Sequence, residues 1–249
     1  MERLRAEYTE VWVAKRNVPL IRFGDRVRAI AGTGLDLLGI PGVEPPAVLL
    51  ESLAAFDSIV SWYGTNRPEF RAAVAGLPFA FLQAMPDEGA GVHAADFYLR
   101  QLGGEGTAIP RIACSAEAGE YVAIHPFSGS ARKNWPLARF RELACEIGGL
   151  VRWCAGPEEA LDDAVRFDDL YELACWLSGA RLYIGNDSGI THLAAAAGAP
   201  VVALFGPTDP VVWAPRGERV RVVATERPGD AMERLPVRRV LATVREAGG

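Results

Sequence analysis

The chain has 249 residues, half of them hydrophobic and 23% charged, with a net charge of −5. That length holds one large or two modest cores, and the composition is that of an ordinary globular protein rather than a disordered or fibrous one. The acidic balance gives no nucleic-acid footprint, residues 1–9 hold no apolar signal-peptide segment, and no apolar run approaches a membrane span, so a cytoplasmic location is expected.

In chain order, residues 11–14 and 26–30 read as short strands, 47–56 as a helix, and 58–62 as a strand ending in the turn residues Gly64, Thr65 and Asn66. Helices are expected at 69–75 and 94–102. Glycine and proline are frequent from 78 to 110, and the small-residue stretch 103–119 reads as a linker. The first unit is therefore placed at 1–117 and the second at 118–249.

The second unit alternates strand 121–125, helix 137–147, strand 151–155, helix 170–177, strand 182–185, helix 190–197, and strands 201–205 and 220–224, followed by a last helix at 237–246. This is the pattern of a doubly wound α/β domain. Cys114, Cys145, Cys154 and Cys175 show no CxxC spacing and read as small buried hydrophobes, with neither zinc nor disulfides implied.

Two strand-to-helix loops carry the chemistry. The first, after strand 121–125, holds Ser128, Gly129, Ser130 and Lys133; small residues permit close backbone approach, and lysine supplies charge for an anion. In the second, Asp187, Ser188 and Gly189 stand where a helix begins, a place that suits a phosphate or diphosphate. Both loops lie at the carboxyl edge of a parallel sheet, where ligands bind. Taken alone, each has a plainer reading: Asp187 or Ser188 as a helix cap, Lys133 as a solvated lysine. GSARK lacks the spacing of a Walker A loop, and no GxGxxG follows a strand, which disfavours a dehydrogenase. His192 reads equally as a ligand contact or a hydrogen-bonded core residue. Thr208, after strand 201–205, faces the same edge. Glu158 or Glu159, after strand 151–155, reads as an acceptor for ribose hydroxyls or as an acid in a first helical turn. No His, Cys or carboxylate cluster with metal spacing accompanies these loops.

The segments HPFSGSARKNWP (125–136) and NDSGITHLAAAAGAPVVALFGPTDP (186–210) together resemble glycosyltransferase family 9, the ADP-heptose:lipopolysaccharide heptosyltransferases. The first is similar to the family's HPGS…K.WP element, with Phe127 where glycine is usual. The second is similar to its D[ST]G..HLAAA…P…LFGPT.P element. The resemblance implies a GT-B architecture, two Rossmann-like doubly wound domains facing across a cleft, with the acceptor on the first and the nucleotide-sugar on the second. It implies inverting transfer of a sugar, a heptose, from a donor such as ADP-heptose to a lipopolysaccharide core or related lipid-linked or oligosaccharide acceptor. No cofactor and no metal are expected, and peripheral contact with the inner membrane surface accompanies such an acceptor.

The amino terminus departs from that pattern. Family members open with a strand and a GD-containing loop that carries the catalytic base, whereas LRAEY at 4–8 resembles the end of the helix that follows. A doubly wound domain has its first strand near the sheet centre, so starting at the following helix would leave a hole there and a truncated first domain. Either the protein starts upstream of Met1, or it is a short relative without the base. Asp25, in Gly24-Asp25, is the only substitute, but it precedes a strand instead of opening a helix and reads better as a turn aspartate. Three functions stay open: an active glycosyltransferase, a non-catalytic nucleotide-sugar-binding relative, and a GT-B epimerase acting on a nucleotide-sugar.

Overall fold

The computed structural model describes residues 4, 6–87, 89 and 91–247. It divides into two compact units, one of residues 1–90 and 97–105 and the other of residues 91–96 and 106–249.

The first unit contains β1 (Glu10–Val13), β2 (Arg26–Ala29), α1 (Ala47–Ala54), β3 (Ile59–Ser61), α2 (Pro68–Ala73) and β4 (Phe79–Phe81), and α3 (Ala94–Gln101) runs between the two units' segments. Its strands form two separate two-stranded parallel sheets, β1–β2 and β3–β4. The strand β4 lies inside the stretch expected to be irregular. A cavity of about 490 Å³ in this unit is lined by residues of β1 and of β3. The expected helix end at 4–8 is absent: Leu4 and residues 6–8 are not helical, and Arg5 lies outside the described residues. The core gathers Leu35, Leu38, Leu49, Leu53, Phe70 and Val74. Phe70 is fully buried and meets Tyr63, Phe79 and Phe81 edge-on. At Gly64, φ is +73° and a Cβ would stand 2.3 Å from the Phe70 ring, so only glycine fits this turn.

The second unit contains β5 (Tyr121–His125), α4 (Leu137–Ile147), β6 (Leu150–Trp153), α5 (Leu170–Ser178), β7 (Leu182–Asn186), α6 (Gly189–Ala196), β8 (Val201–Phe205), α7 (Pro210–Trp213), β9 (Val220–Ala224) and α8 (Val237–Ala247). Five parallel strands lie in the order β6-β5-β7-β8-β9. Every residue of β7 and β8 is buried, as strands covered on both faces require. Trp135, Phe140 and Leu143 from one side of the chain and Val240 and Val244 from α8 join this core. Residues 91–96 are tied in by His93, whose Nε2 is 2.7 Å from the Ala214 carbonyl, and by Asp96, which pairs with Arg216 at 2.7 Å and accepts from the Ala108 amide. Among the described residues no helix is long and apolar enough to cross a membrane.

The strand order reverses between β5 and β7, because β6 lies outside β5 whereas β8 and β9 continue beyond β7. The two connections leaving the carboxyl ends there depart to opposite faces and open a crevice. Both motif-bearing loops leave from this point.

Candidate functional site at the sheet switch point

Asp187 follows β7 directly, is 6% exposed, and is the hub of the site. Its Oδ2 accepts from Lys133 Nζ at 2.7 Å and from Thr208 Oγ1 at 2.8 Å, and His192 Nε2 stands 3.8 Å from Oδ1, a charge-pair distance rather than a hydrogen bond. Burial alone would raise the Asp187 pKa. The contacts from His192, Lys133 and Thr208 and the ammonium charge outweigh that burial and hold the carboxyl below its ordinary value. Lys133 sits on a 3-10 turn, Ala131–Lys133, and keeps a third of its side chain exposed. It thus has N–H donors left for a ligand beyond the one given to Asp187.

Asn186 is completely buried and locks the two loops together. Its Oδ1 accepts from the Trp135 amide at 3.0 Å and its Nδ2 donates to the Pro126 carbonyl at 2.8 Å. Ser128 organises the first loop from within, donating to Asn134 Oδ1 at 2.7 Å and contacting the Ser130 carbonyl at 2.8 Å. Gly129 and Gly189 both face open space, where a Cβ would meet nothing within 4 Å.

Ser188 caps α6 by accepting from the Thr191 amide at 3.3 Å. Thr191 is itself fixed by donating to the Asn186 carbonyl and by contact with the Tyr183 hydroxyl at 3.1 Å. The first helical bond runs from His192 N to Ser188 O. The amides of Gly189 and Ile190 precede it and carry the positive end of the helix dipole. The Ser188 cap engages the Thr191 amide and leaves the Gly189 and Ile190 amides out of the capping bond. Asp209 caps α7 through the Val211 amide, next to Thr208.

A pair at the ends of β5 and β6 is less visible in the sequence. His125 Nε2 lies 3.0 Å from Glu159 Oε2, which also accepts from the Gly156 amide at 2.6 Å. Burial acts to raise the Glu159 pKa, but the bonds from His125 and Gly156 dominate and lower it. Glu158, the other acid considered there, is exposed. The Cys154 thiol beside this pair is pushed up to about 12 by burial and then by the Glu159 charge, so it is an inert packing residue. Among the described residues no group of three His, Cys, Asp or Glu has the arrangement to hold a metal ion.

Asp25 lies outside this constellation, in the first unit. It is exposed, and its Oδ2 accepts from the Thr9 amide at 2.7 Å while its own amide donates to Thr9 O at 2.9 Å. It fastens the start of β1 to the start of β2.

Residues 106–235 match the family model described as glycosyltransferase family 9 (heptosyltransferase). The lipopolysaccharide heptosyltransferase 1 of Pseudomonas aeruginosa is 40% identical over 93 residues, covering 31% of this chain and 26% of its own length. That of Salmonella typhimurium is 39% identical over 93 residues, covering 31% and 29%. The aligned stretch thus spans less than a third of either relative. Among solved structures, Escherichia coli ADP-heptose lps heptosyltransferase II matches with a TM-score of 0.68 at 16% identity, over 96% of this chain and 89% of the other. Escherichia coli heptosyltransferase WaaC with ADP matches with a TM-score of 0.65 at 18% identity, over 95% and 89%. At such identities the likeness is one of fold.

Proposed function

The chain belongs to glycosyltransferase family 9 and has the GT-B type of fold; on that premise we propose that it transfers a heptose from an ADP-heptose-like donor to a lipopolysaccharide-core or related glycan acceptor. The observation that carries this reading is the meeting of the β5 and β7 loops at the Lys133–Asp187 contact, at the switch point of one parallel sheet.

In this reading the donor's diphosphate lies over the Gly189 and Ile190 amides and against Lys133, with Gly129 and Gly189 leaving room for it. Transfer breaks the bond from the anomeric carbon to the diphosphate, and negative charge grows on the departing nucleoside diphosphate. Donors already aimed there by the helix terminus and by Lys133 stabilise that charge without reorganising. Asp187 holds the ammonium in place, and Thr208 and His192 hold Asp187. Glu159, fixed by His125 and Gly156, is the carboxylate positioned at the neighbouring strand end for the ribose. An acceptor hydroxyl attacks from the opposite side, inverting the carbon, and no metal is required. A cytoplasmic site of action, peripheral to the inner membrane, follows from such an acceptor.

Calorimetric titration with ADP tests the donor site. Lys133→Ala is expected to weaken ADP binding by roughly 10- to 100-fold, the scale of a lost charge-assisted bond, with wild-type binding unchanged by EDTA. Equal affinity in both proteins would sink the assignment, and loss of binding on chelation would sink metal independence. A second reading, a nucleotide-sugar binder without its own base, is supported by Asp25, whose carboxylate serves the backbone. A transfer assay with an ADP-sugar and a lipid A-core acceptor separates the two. Turnover that disappears in Asp25→Asn makes Asp25 the base, and no turnover with intact ADP binding supports the second reading.

A further inference from the structure

His125 is the last residue of β5, one of the two strands at the switch point. Its side chain is 5% exposed, whereas that of its partner Glu159 is 28% exposed. A carboxylate oxygen only accepts, so the ring proton of their contact is on Nε2. The other ring nitrogen, Nδ1, is buried without a hydrogen-bond partner. The bond to Glu159 is thus the one hydrogen bond of the ring among the described residues. A buried nitrogen left unpaired costs stability that an apolar side chain would not, so packing alone does not account for a histidine here. Phe127 packs edge-on against the ring, with centroids 6.1 Å apart. The carboxylate itself is filled unevenly. It has about four acceptor positions, roughly two on each oxygen. Both of its donors, His125 Nε2 at 3.0 Å and the Gly156 amide at 2.6 Å, go to Oε2. Oε1 receives no hydrogen bond from the described residues. On the far side of the same loop, Arg166 donates to the Glu159 carbonyl at 2.8 Å and so anchors the backbone that carries the carboxylate.

We infer that His125 is a positioning residue for the donor's ribose: by holding Oε2 it leaves Oε1 aimed at the ribose hydroxyls, and so makes the site choose a ribonucleotide over a nucleotide that lacks them. This role rests on the reading of Glu159 as the ribose carboxylate. A glutamate has several free torsions, and on a loop it would otherwise spread over many rotamers. A ligand would then have to order it on binding, at a cost to affinity. Here the order is supplied beforehand by a buried strand residue, and the carboxylate meets the ribose already in place. The Gly156 amide alone does not achieve this, because the group can pivot about a single bond and swing Oε1 away. Two donors from different elements, the end of β5 and the turn after β6, stop that pivot. The acceptor positions that remain are on one oxygen, which suits two neighbouring hydroxyls.

The test is calorimetric titration of the full 249-residue chain with ADP and with 2′,3′-dideoxy-ADP, which lacks both hydroxyls. In the wild type, ADP is expected to bind about tenfold or more tightly than the dideoxy form, the scale of hydrogen bonds to a charged acceptor. In His125→Leu the ratio is expected to fall to about threefold or less, mostly through weaker ADP binding, and His125→Gln, which restores an N–H donor, should recover most of it. A histidine that only fills space would weaken both ligands together and leave the ratio unchanged, and that result overturns the inference. Glu159→Ala separates this failure from failure of the reading beneath it. A ratio lost in Glu159→Ala but kept in His125→Leu removes the role of His125 alone. A ratio kept in Glu159→Ala places the ribose elsewhere and removes both. If His125→Leu does not fold, ring-nitrogen NMR of the unaltered chain decides. The His125 Nε2 should carry a proton, and its resonance should move further with ADP than with the dideoxy form. An Nε2 without a proton, or the same movement with both ligands, overturns the inference.

Discussion

Asp187 is held by side chains from three different places: Lys133 after β5, His192 on α6 and Thr208 after β8. Its value to the fold therefore depends on its charge. Because its folded pKa is depressed, the stabilisation is complete above the unfolded carboxylate value of about 3.9 and is lost as pH falls through the lower folded value. Urea unfolding between pH 7 and 2.5 should show stability dropping below about pH 4 more steeply in the wild type than in Asp187→Asn. Parallel profiles would mean that the three contacts contribute nothing net. Most of this hub was legible in the sequence, since Lys133, Asp187, His192 and Thr208 all sit in loops or first turns whose position at one sheet edge follows from strand–helix alternation. Their mutual bonding was not legible: Lys133 was expected to face an anion, and nothing in spacing says that it also neutralises Asp187. The His125–Glu159 pair was hidden for a similar reason, because adjacency of β5 and β6 is a fact of strand order, not of sequence distance.

At the scale of elements, legibility followed burial. The strands β7 and β8 are covered on both faces and announce themselves as apolar runs bounded by turn residues. The three-residue β4, introduced by Pro78, is too short for any period to show in the sequence. The helix expected at 4–8 failed because a resemblance suggested it, without capping or periodicity of its own. Helix α6 is the element on which the site depends most, and it is only eight residues long, too short to be stable by propensity alone. It persists through packing of Leu193, Ala194 and Ala195 and through its Ser188 cap. Ser188→Ala should cost about 1 kcal/mol in chemical denaturation, the usual worth of such a cap, and Ser188→Asn should recover most of it. A variant as stable as the wild type would show that the Thr191 bonds to Asn186 and Tyr183 suffice to start the helix.

For the molecule as a whole, the division into units is the feature that the sequence placed least well. The expected boundary fell at 117, in a stretch of small residues, whereas the second unit takes in residues 91–96 and starts its continuous part at 106. Linker-like composition marks where a chain is able to be irregular, not where its contacts change allegiance. What transfers 91–96 to the second unit is a set of long-range bonds, His93 to Ala214 and Asp96 to Arg216 and Ala108. This partition makes a prediction. The second unit has a complete five-stranded sheet, a continuous core running from Val122 to Val244, and every residue of the Lys133–Asp187–Thr208 and His125–Glu159 groups. The expectation is that its stability and the proposed donor site need nothing from residues before 91. A fragment of residues 91–249 should therefore fold cooperatively and bind ADP with the affinity of the whole chain. A fragment starting at 118, cut at the composition boundary, should be less stable, because it loses the Asp96–Arg216 pair and strips the Ile112 amide from the Ala196 carbonyl at the end of α6. Calorimetric ADP titration and thermal unfolding of both fragments check this directly. If the longer fragment folds but no longer binds ADP, the donor site is not contained in the second unit. If the two fragments melt together, the contacts of residues 91–117 are decoration.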